Sequence, residues 1–314
     1  MEQFLSVLFF LFASYSVIAN DSIQTLGTWM SSNRSIKWYW LATFAAVGLI
    51  ITIAYSWFAY DGDISYGRLS KIPYVPVKWY HGIAPLILIL LTRFGIPVST
   101  SFLILATFAS DVIVEAMLKK SVIGYAFSAI TAYIFWISIS KVLDEKKSVR
   151  DKNKRTWRIL QWFSTGFLWY SWLTHDVANI SVFLPRQISA PLLLLILAFF
   201  TLTIFLIFRE GGGKIQKIIL NKTNTKYVRS ATIVDFVYAI ILVVFKEYSS
   251  IPMSTTWVFI GLLTGRELAI TTLSKHRKVK TLFPIIREDF GKLVIGMTVS
   301  VLIAYGVNYL AEAF

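Results

Sequence analysis

Ala19-Asn20-Asp21-Ser22-Ile23-Gln24 and Thr174-His175-Asp176-Val177-Ala178-Asn179 are two copies of one polar signature in an otherwise apolar chain. A second signature, Pro97-Val98-Ser99-Thr100-Ser101, recurs as Pro252-Met253-Ser254-Thr255-Thr256. Both pairs are offset by 155 residues, from position 21 to 176 and from 97 to 252. The flanking pairs Phe12/Phe167, Tyr15/Tyr170, Ser16/Ser171 and Ile96/Ile251 hold the same register without a gap. A repeat of about half the chain, with its polar residues set in hydrophobic surroundings, is the pattern of a secondary-transporter fold.

Composition agrees with a membrane location. The chain is 56% hydrophobic and 15% charged, with a mean hydropathy of +0.64, which is too apolar for a soluble surface. Of its 31 Lys and Arg, 20 fall in the stretches 141–158, 209–229 and 275–292. Between the basic stretches lie apolar segments at or near the ~20 residues a bilayer-spanning helix needs. The net charge of +14 is thus assigned to loops held on the cytoplasmic side and not to nucleic-acid binding. With no cysteine there is no disulfide, thiolate nucleophile or zinc-thiolate site, and His81, His175 and His276 lack metal-ligand spacing. No cofactor is expected. The N-terminal apolar run, although it ends in Ser16-Val17-Ile18-Ala19-Asn20, carries Glu2 and no basic n-region. Because it has a counterpart at 157–175, it reads as a retained first helix.

Ten hydrophobic segments follow: 2–20, 38–60, 82–94, 97–115, 121–140, 158–175, 188–208, 230–247, 253–273 and 293–312. The expected fold is an all-α polytopic membrane protein of two inverted repeats. Residues 1–140 form the first, 141–157 a basic cytoplasmic linker, and 158–314 the second. The third segment is too short to span, and Gly95 and Pro97 break the chain after it. The helices at Pro97 and Pro252 are therefore read as discontinuous or re-entrant. Each half then holds five spans, or three spans plus a hairpin. Either count is odd, which inverts the second half. Loop charge places both termini outside and the basic loops in the cytoplasm of a cell membrane.

The doubled motifs carry the chemistry. An Asp inside a membrane costs about 2.5–3.5 kcal/mol on insertion scales, so it persists where it lines a cavity or has a partner. A helix broken at Asp21 and Asp176 would free carbonyls beside each carboxylate and make a hard-oxygen cation site with Asn20 and His175. Gln24 and Asn179 would add amides for a substrate. Prolines at the first helical position would start helices at Pro97 and Pro252. Ser99, Thr100, Ser101, Ser254, Thr255 and Thr256 would then present hydroxyls to an oxyanion at those helix ends. Asp111 and Glu115 lie on one helical face and read as a solvated end or ion pair, with Arg266 and Glu267 at the matching position. Asp235 stands alone inside its segment as a candidate for a further ion site.

These signatures resemble those of the inorganic phosphate transporters of the PiT type, a family that includes some sulfate permeases. The family carries Gly-Ala-Asn-Asp-x-x-Asn-Ala in each half, followed later by Pro-x-Ser-Thr-Thr-His. Residues 19–24 and 174–179 look like the first motif, and 96–101 and 251–256 like the second. Ile18 and Leu173 stand where the family has glycine, His175 and Gln24 where it has asparagine, and Phe102 and Trp257 where it has histidine. The resemblance implies two inverted repeats around a midplane site for an oxyanion and sodium at Asp21 and Asp176. It further implies symport, with protons as the alternative driving ion and a homodimer as one assembly open to the chain. An Asp carboxylate can accept a hydrogen bond from protonated phosphate but repels sulfate, which favours phosphate unless a cation lies between. The other readings are a sulfate permease of the same fold and a non-transporting channel or scaffold. An intramembrane aspartyl protease is a remote alternative, since Gly-x-Gly-Asp is absent.

Overall fold

In a computed structural model, residues 2–94, 99–108, 111–139, 154–213, 216, 228–248, 254–273 and 283–313 are described. Pro97, Pro252, the side chain of Ser101 and most of the 141–157 linker and the basic stretches lie outside them.

The first helix runs from Glu2 to Ser32 as α1 (Glu2–Ser16), one π-helical turn (Val17–Asp21) and α2 (Ser22–Ser32). It continues well beyond the apolar stretch, because the motif that was expected to break it is absorbed as a π turn. There follow α3 (Trp38–Ala59), α4 (Ile83–Phe94), α5 (Thr100–Leu105) and α6 (Asp111–Ile139). The second half comprises α7 (Lys154–Ile180), α8 (Ala190–Arg209), α9 (Val228–Tyr248), α10 (Thr255–Leu273) and α11 (Phe283–Ala313). Among the described residues, five helical stretches are long and apolar enough to cross a membrane: Glu2–Ser32, Trp38–Ala59, Val112–Ile139, Ala190–Arg209 and Val294–Ala311.

The hairpin segments are unequal. With 12 residues, α4 is about 18 Å long, and α5, with 6, about 9 Å, so neither reaches across a hydrocarbon core of about 30 Å. Their counterparts α9 and α10, with 21 and 19 residues, are each about as long as that core is thick. The re-entrant lengths expected for the hairpins are thus found in the first copy only. The fourth segment also ends earlier than expected, at Leu105, and the chain turns before α6 starts at Asp111.

Contacts between elements come in matched pairs when α1–α2 is equated with α7, α3 with α8, α4 with α9, α5 with α10 and α6 with α11. The packing of α10 on α6 is mirrored by α5 on α11, and α9 on α7 by α4 on α1. Likewise α3 on α7 is mirrored by α8 on α1, and α11 on α4 by α6 on α9. The halves interlock: the helix that opens with each Ser-Thr motif packs against the last helix of the other half.

The α6–α10 contact rests on a Gly261-Leu262-Leu263-Thr264-Gly265 stretch. A Cβ on Gly261 would overlap the Ser128 hydroxyl and Tyr125 carbonyl, and one on Gly265 the Ala129 carbonyl. In lipid, helices gain little from excluding water from one another, and small residues let their backbones approach closely. On the other side of the bundle, Trp169 on α7 donates from Nε1 to the Ala45 carbonyl of α3 at 2.8 Å and lies against Gly48. It stacks on Trp172 with ring centroids 5.0 Å apart.

Between α3 and α4 the chain folds back into the protein. The Asp63 carboxylate caps this connection, accepting from the Ser65 and Gly67 amides at 2.6 and 3.0 Å. Gly62 (φ 92°) and Gly67 (φ 68°) take the left-handed turns around it. Bonds to the second half hold it: Trp57 Nε1 at the end of α3 to Ile188 O (2.8 Å), Ile188 N to Gly62 O (3.0 Å) and Arg186 Nη2 to Ile72 O (2.8 Å) among them.

Gly265→Leu should force α10 off α6 and destabilise the bundle by at least ~1–3 kcal/mol. The readout is the apparent melting temperature in detergent followed by size-exclusion chromatography. An unchanged melting temperature would show that the close approach is not needed.

Candidate functional site

The first motif sits on the π-helical turn. One extra residue per turn swings Asn20 and Asp21 inward, and Ser22 donates back to the Ile18 carbonyl within the widened turn. Asn20 and Asp21 are 0% and 1% exposed. The second motif lies in an unbroken stretch of α7, where His175, Asp176 and Asn179 are equally buried. Neither motif breaks its helix. The freed carbonyls expected beside both carboxylates are replaced by a π turn in one copy and by regular helix in the other.

The Ser-Thr motifs also differ from expectation in their start. The described helices begin at Thr100 and Thr255, three residues after the prolines. Ser99 and Ser254 are the caps: Ser99 Oγ accepts from Phe102 N at 3.2 Å and Ser254 Oγ from Trp257 N at 3.3 Å. These two bonds are themselves offset by 155 residues, which marks the caps as corresponding elements. The Ser254 amide is taken by Ser121 Oγ on α6 at 3.0 Å. A six-residue α5 has little dipole to offer, so the first copy contributes hydroxyls more than a helix end.

Side chains from both halves meet at Asp21. The Thr100 hydroxyl donates to Asp21 Oδ2, and Gln24 Nε2 donates to Asp21 Oδ1 at 3.1 Å and to Thr256 Oγ1 at 3.3 Å. One carboxylate of the first half therefore gathers a hydroxyl of its own Ser-Thr motif and, through Gln24, one of the other. Gln24 Oε1 is buried and accepts no hydrogen bond among the described residues. Asp176 lies within electrostatic reach of Asp21. Thr100, Thr255 and Thr256 are each 1% exposed. The structure thus gathers Asp21, Gln24, Thr100 and Thr256 directly, with Asp176 close by. His175 Nε2 faces the Leu242 carbonyl at 3.1 Å, an acceptor to which that nitrogen can donate. No cluster of three His, Asp or Glu converges among the described residues, so a cation here would be held largely by hydroxyl, amide and carbonyl oxygens.

Two residues at the site carried no sequence signal. Tyr238 on α9 is fully buried, donates to the Thr255 carbonyl at 3.0 Å and lies within electrostatic reach of both aspartates. Its position at offset 155 holds Ile83, so the repeat does not mark it. Arg68 reads from sequence as one of a few basic residues in an external loop. Yet it is 6% exposed, and its Nη1 donates to the Thr174 carbonyl at 2.9 Å. Burial pulls its guanidinium down to about 10, against the pull of the Asp176 carboxylate, so it stays charged at neutral pH.

Asp235 is completely buried, and both its oxygens are taken by hydroxyls. Thr28 on α2 donates to Oδ1 and Thr165 on α7 to Oδ2, each at 2.5 Å. The carboxylate ties three helices together two turns from Asp21. Glu115 pairs with Lys119 at 2.6 Å on an exposed face near the start of α6, as expected; Arg266 instead is buried in the middle of α10, where it pairs with its neighbour Glu267 at 2.9 Å. The side chain of Asp111 lies outside the described residues.

The sequence matches no family model and no curated protein. The fold does match a solved structure described as "the sodium-dependent phosphate transporter". The likeness has a TM-score of 0.63 and covers 99% of both chains at 16% identity. The all-α fold that the motifs imply is therefore the fold of this chain.

Replacing Thr28 and Thr165 together by Val should destabilise the protein by ~2–4 kcal/mol, since Asp235 would lose both donors while buried. Thermal unfolding of the purified protein measures it; a shift no larger than that of an exposed Thr43→Val control would contradict the anchoring role.

Proposed function

We propose that this chain is a secondary-active symporter for a small tetrahedral oxyanion, inorganic phosphate first, driven by sodium or protons. One observation supports the reading above the others: hydroxyls of both Ser-Thr motifs converge on the Asp21 carboxylate. Cation ligands and anion donors occupy one buried place, which is the requirement for coupling. The named substrate and ion of the structural neighbour point the same way.

The hydrogen bonds suggest how coupling arises. The Thr100 hydroxyl is engaged by Asp21. A cation at that carboxylate competes for the same lone pairs and turns the hydroxyl, with that of Thr256, toward the anion. The anion then finds donors where it would otherwise meet a bare carboxylate. Each ligand thus raises the affinity of the other, and the effect is reciprocal. The Asp21 carboxylate supplies the field for the cation, with Asp176 close by. Ser99, Thr100, Ser254, Thr255 and Thr256 cradle the anion, with Gln24 and Asn179 as amide partners and Asn20 and His175 flanking the cation. Alternating access follows from rocking of the two interlocked halves around this place. The protein would sit in the cell membrane with its basic loops in the cytoplasm and both termini outside.

Uptake of radiolabelled phosphate into proteoliposomes should require an inward sodium or proton gradient and exceed sulfate uptake. Asp176→Ala should abolish it while the protein still purifies as a folded species. Gradient-independent flux, or undiminished uptake by the variant, would sink this reading.

A further inference from the structure

The two site aspartates are not compensated alike. Among the described residues, the groups that act on Asp21 are neutral or of like charge: the Thr100 and Thr256 hydroxyls, the Gln24 amide and Asp176. Asp176 instead has a cation of the protein's own anchored two residues away along α7. Arg68 reaches in from the α3–α4 connection, is anchored through Nη1 on the Thr174 carbonyl, and lies within electrostatic reach of Asp176. Its Nη2 is buried and donates no hydrogen bond among the described residues. A guanidinium stripped of water with a donor to spare is costly unless a negative group faces it. The connection holding it is fixed by the Asp63 cap and by the bonds to Ile188 and from Arg186, so Arg68 is placed by structure and not by chance of rotamer. The position at offset 155 from Arg68 is Thr223, so the repeat supplies no equivalent charge.

We infer that Arg68 is a built-in counter-ion of the transport site: it neutralises Asp176, so that one mobile cation, bound at Asp21, accompanies the anion instead of two. This rests on the symport reading and sets its stoichiometry. Two buried carboxylates in an apolar bundle call for two positive charges when the site is loaded. Arg68 provides one permanently. It also makes the connection between α3 and α4 part of the site, since moving that connection would uncover the Asp176 charge.

The sodium dependence of phosphate uptake by proteoliposomes tests this, on wild-type protein, Arg68→Gln and Arg68→Lys. Wild type should show a Hill coefficient of about 1 for sodium. In Arg68→Gln the Asp176 charge, having lost its guanidinium, needs a mobile cation as well, so the coefficient should rise toward about 2 and half-saturation should move up by about tenfold or more. Arg68→Lys keeps the charge and should keep the wild-type slope, which a purely structural role for the guanidinium would not produce. A wild-type coefficient near 2, or a folded Arg68→Gln variant with the wild-type slope, would overturn the counter-ion role. If Arg68→Gln does not fold, the wild-type slope alone decides. Absence of any sodium-dependent uptake in wild type is a separate outcome: it overturns the symport reading, and this inference with it.

Discussion

Two carboxylates, Asp21 and Asp176, lie within each other's electrostatic reach, each 1% exposed, inside a bundle that is otherwise packed with Leu, Ile, Phe and Trp. Like charges brought together away from water repel one another and are costly to keep ionised. The surrounding structure limits that cost. Thr100 and Gln24 donate to Asp21, the π turn at Val17–Asp21 aims it inward, and Arg68 reaches from the α3–α4 connection to the Thr174 carbonyl, two residues from Asp176. Each of these features is hard to explain in a bundle without the acids. Together they describe one buried polar place organised around the two acids.

The repeat explains how one chain brings such groups to one place. Corresponding elements make corresponding contacts, and α5 and α10 are capped in the same way, by Ser99 and Ser254. Each of these helices packs on the last helix of the opposite half, so a shift of one half changes the surroundings of the motif in the other. Gly261 and Gly265 make the larger of these contacts a backbone-to-backbone approach. The symmetry is incomplete at the site. The π turn, the six-residue α5 and Arg68 occur in the first half alone among the described residues. A site with one compensated and one uncompensated acid is the result.

Much of this was legible in the sequence because the repeat writes each key residue twice. Asp21, Asp176 and the Ser-Thr pairs emerge from the single offset of 155, and the helical segments from hydrophobic length. What stayed hidden was set by tertiary contact. A π turn has no compositional mark, and its effect, helix continuity through the motif, reverses the expected break. Arg68 looks like a solvated loop charge because sequence does not say that the Asp63-capped connection folds inward. Tyr238 looks like an interface aromatic until its hydroxyl meets the Thr255 carbonyl. The proline starts were displaced because Ser99 and Ser254 satisfy the first helical amides, so the helices begin one residue after each serine.

The central claim is that the two copies of each motif form a single site. Equilibrium binding of radiolabelled phosphate to the purified protein, with and without sodium, tests it most directly. The account predicts one phosphate per chain, dependent on the cation, and lost on Thr100→Val and Thr255→Val alike although these residues belong to different halves. Two phosphates per chain, or binding that survives either substitution, would contradict it.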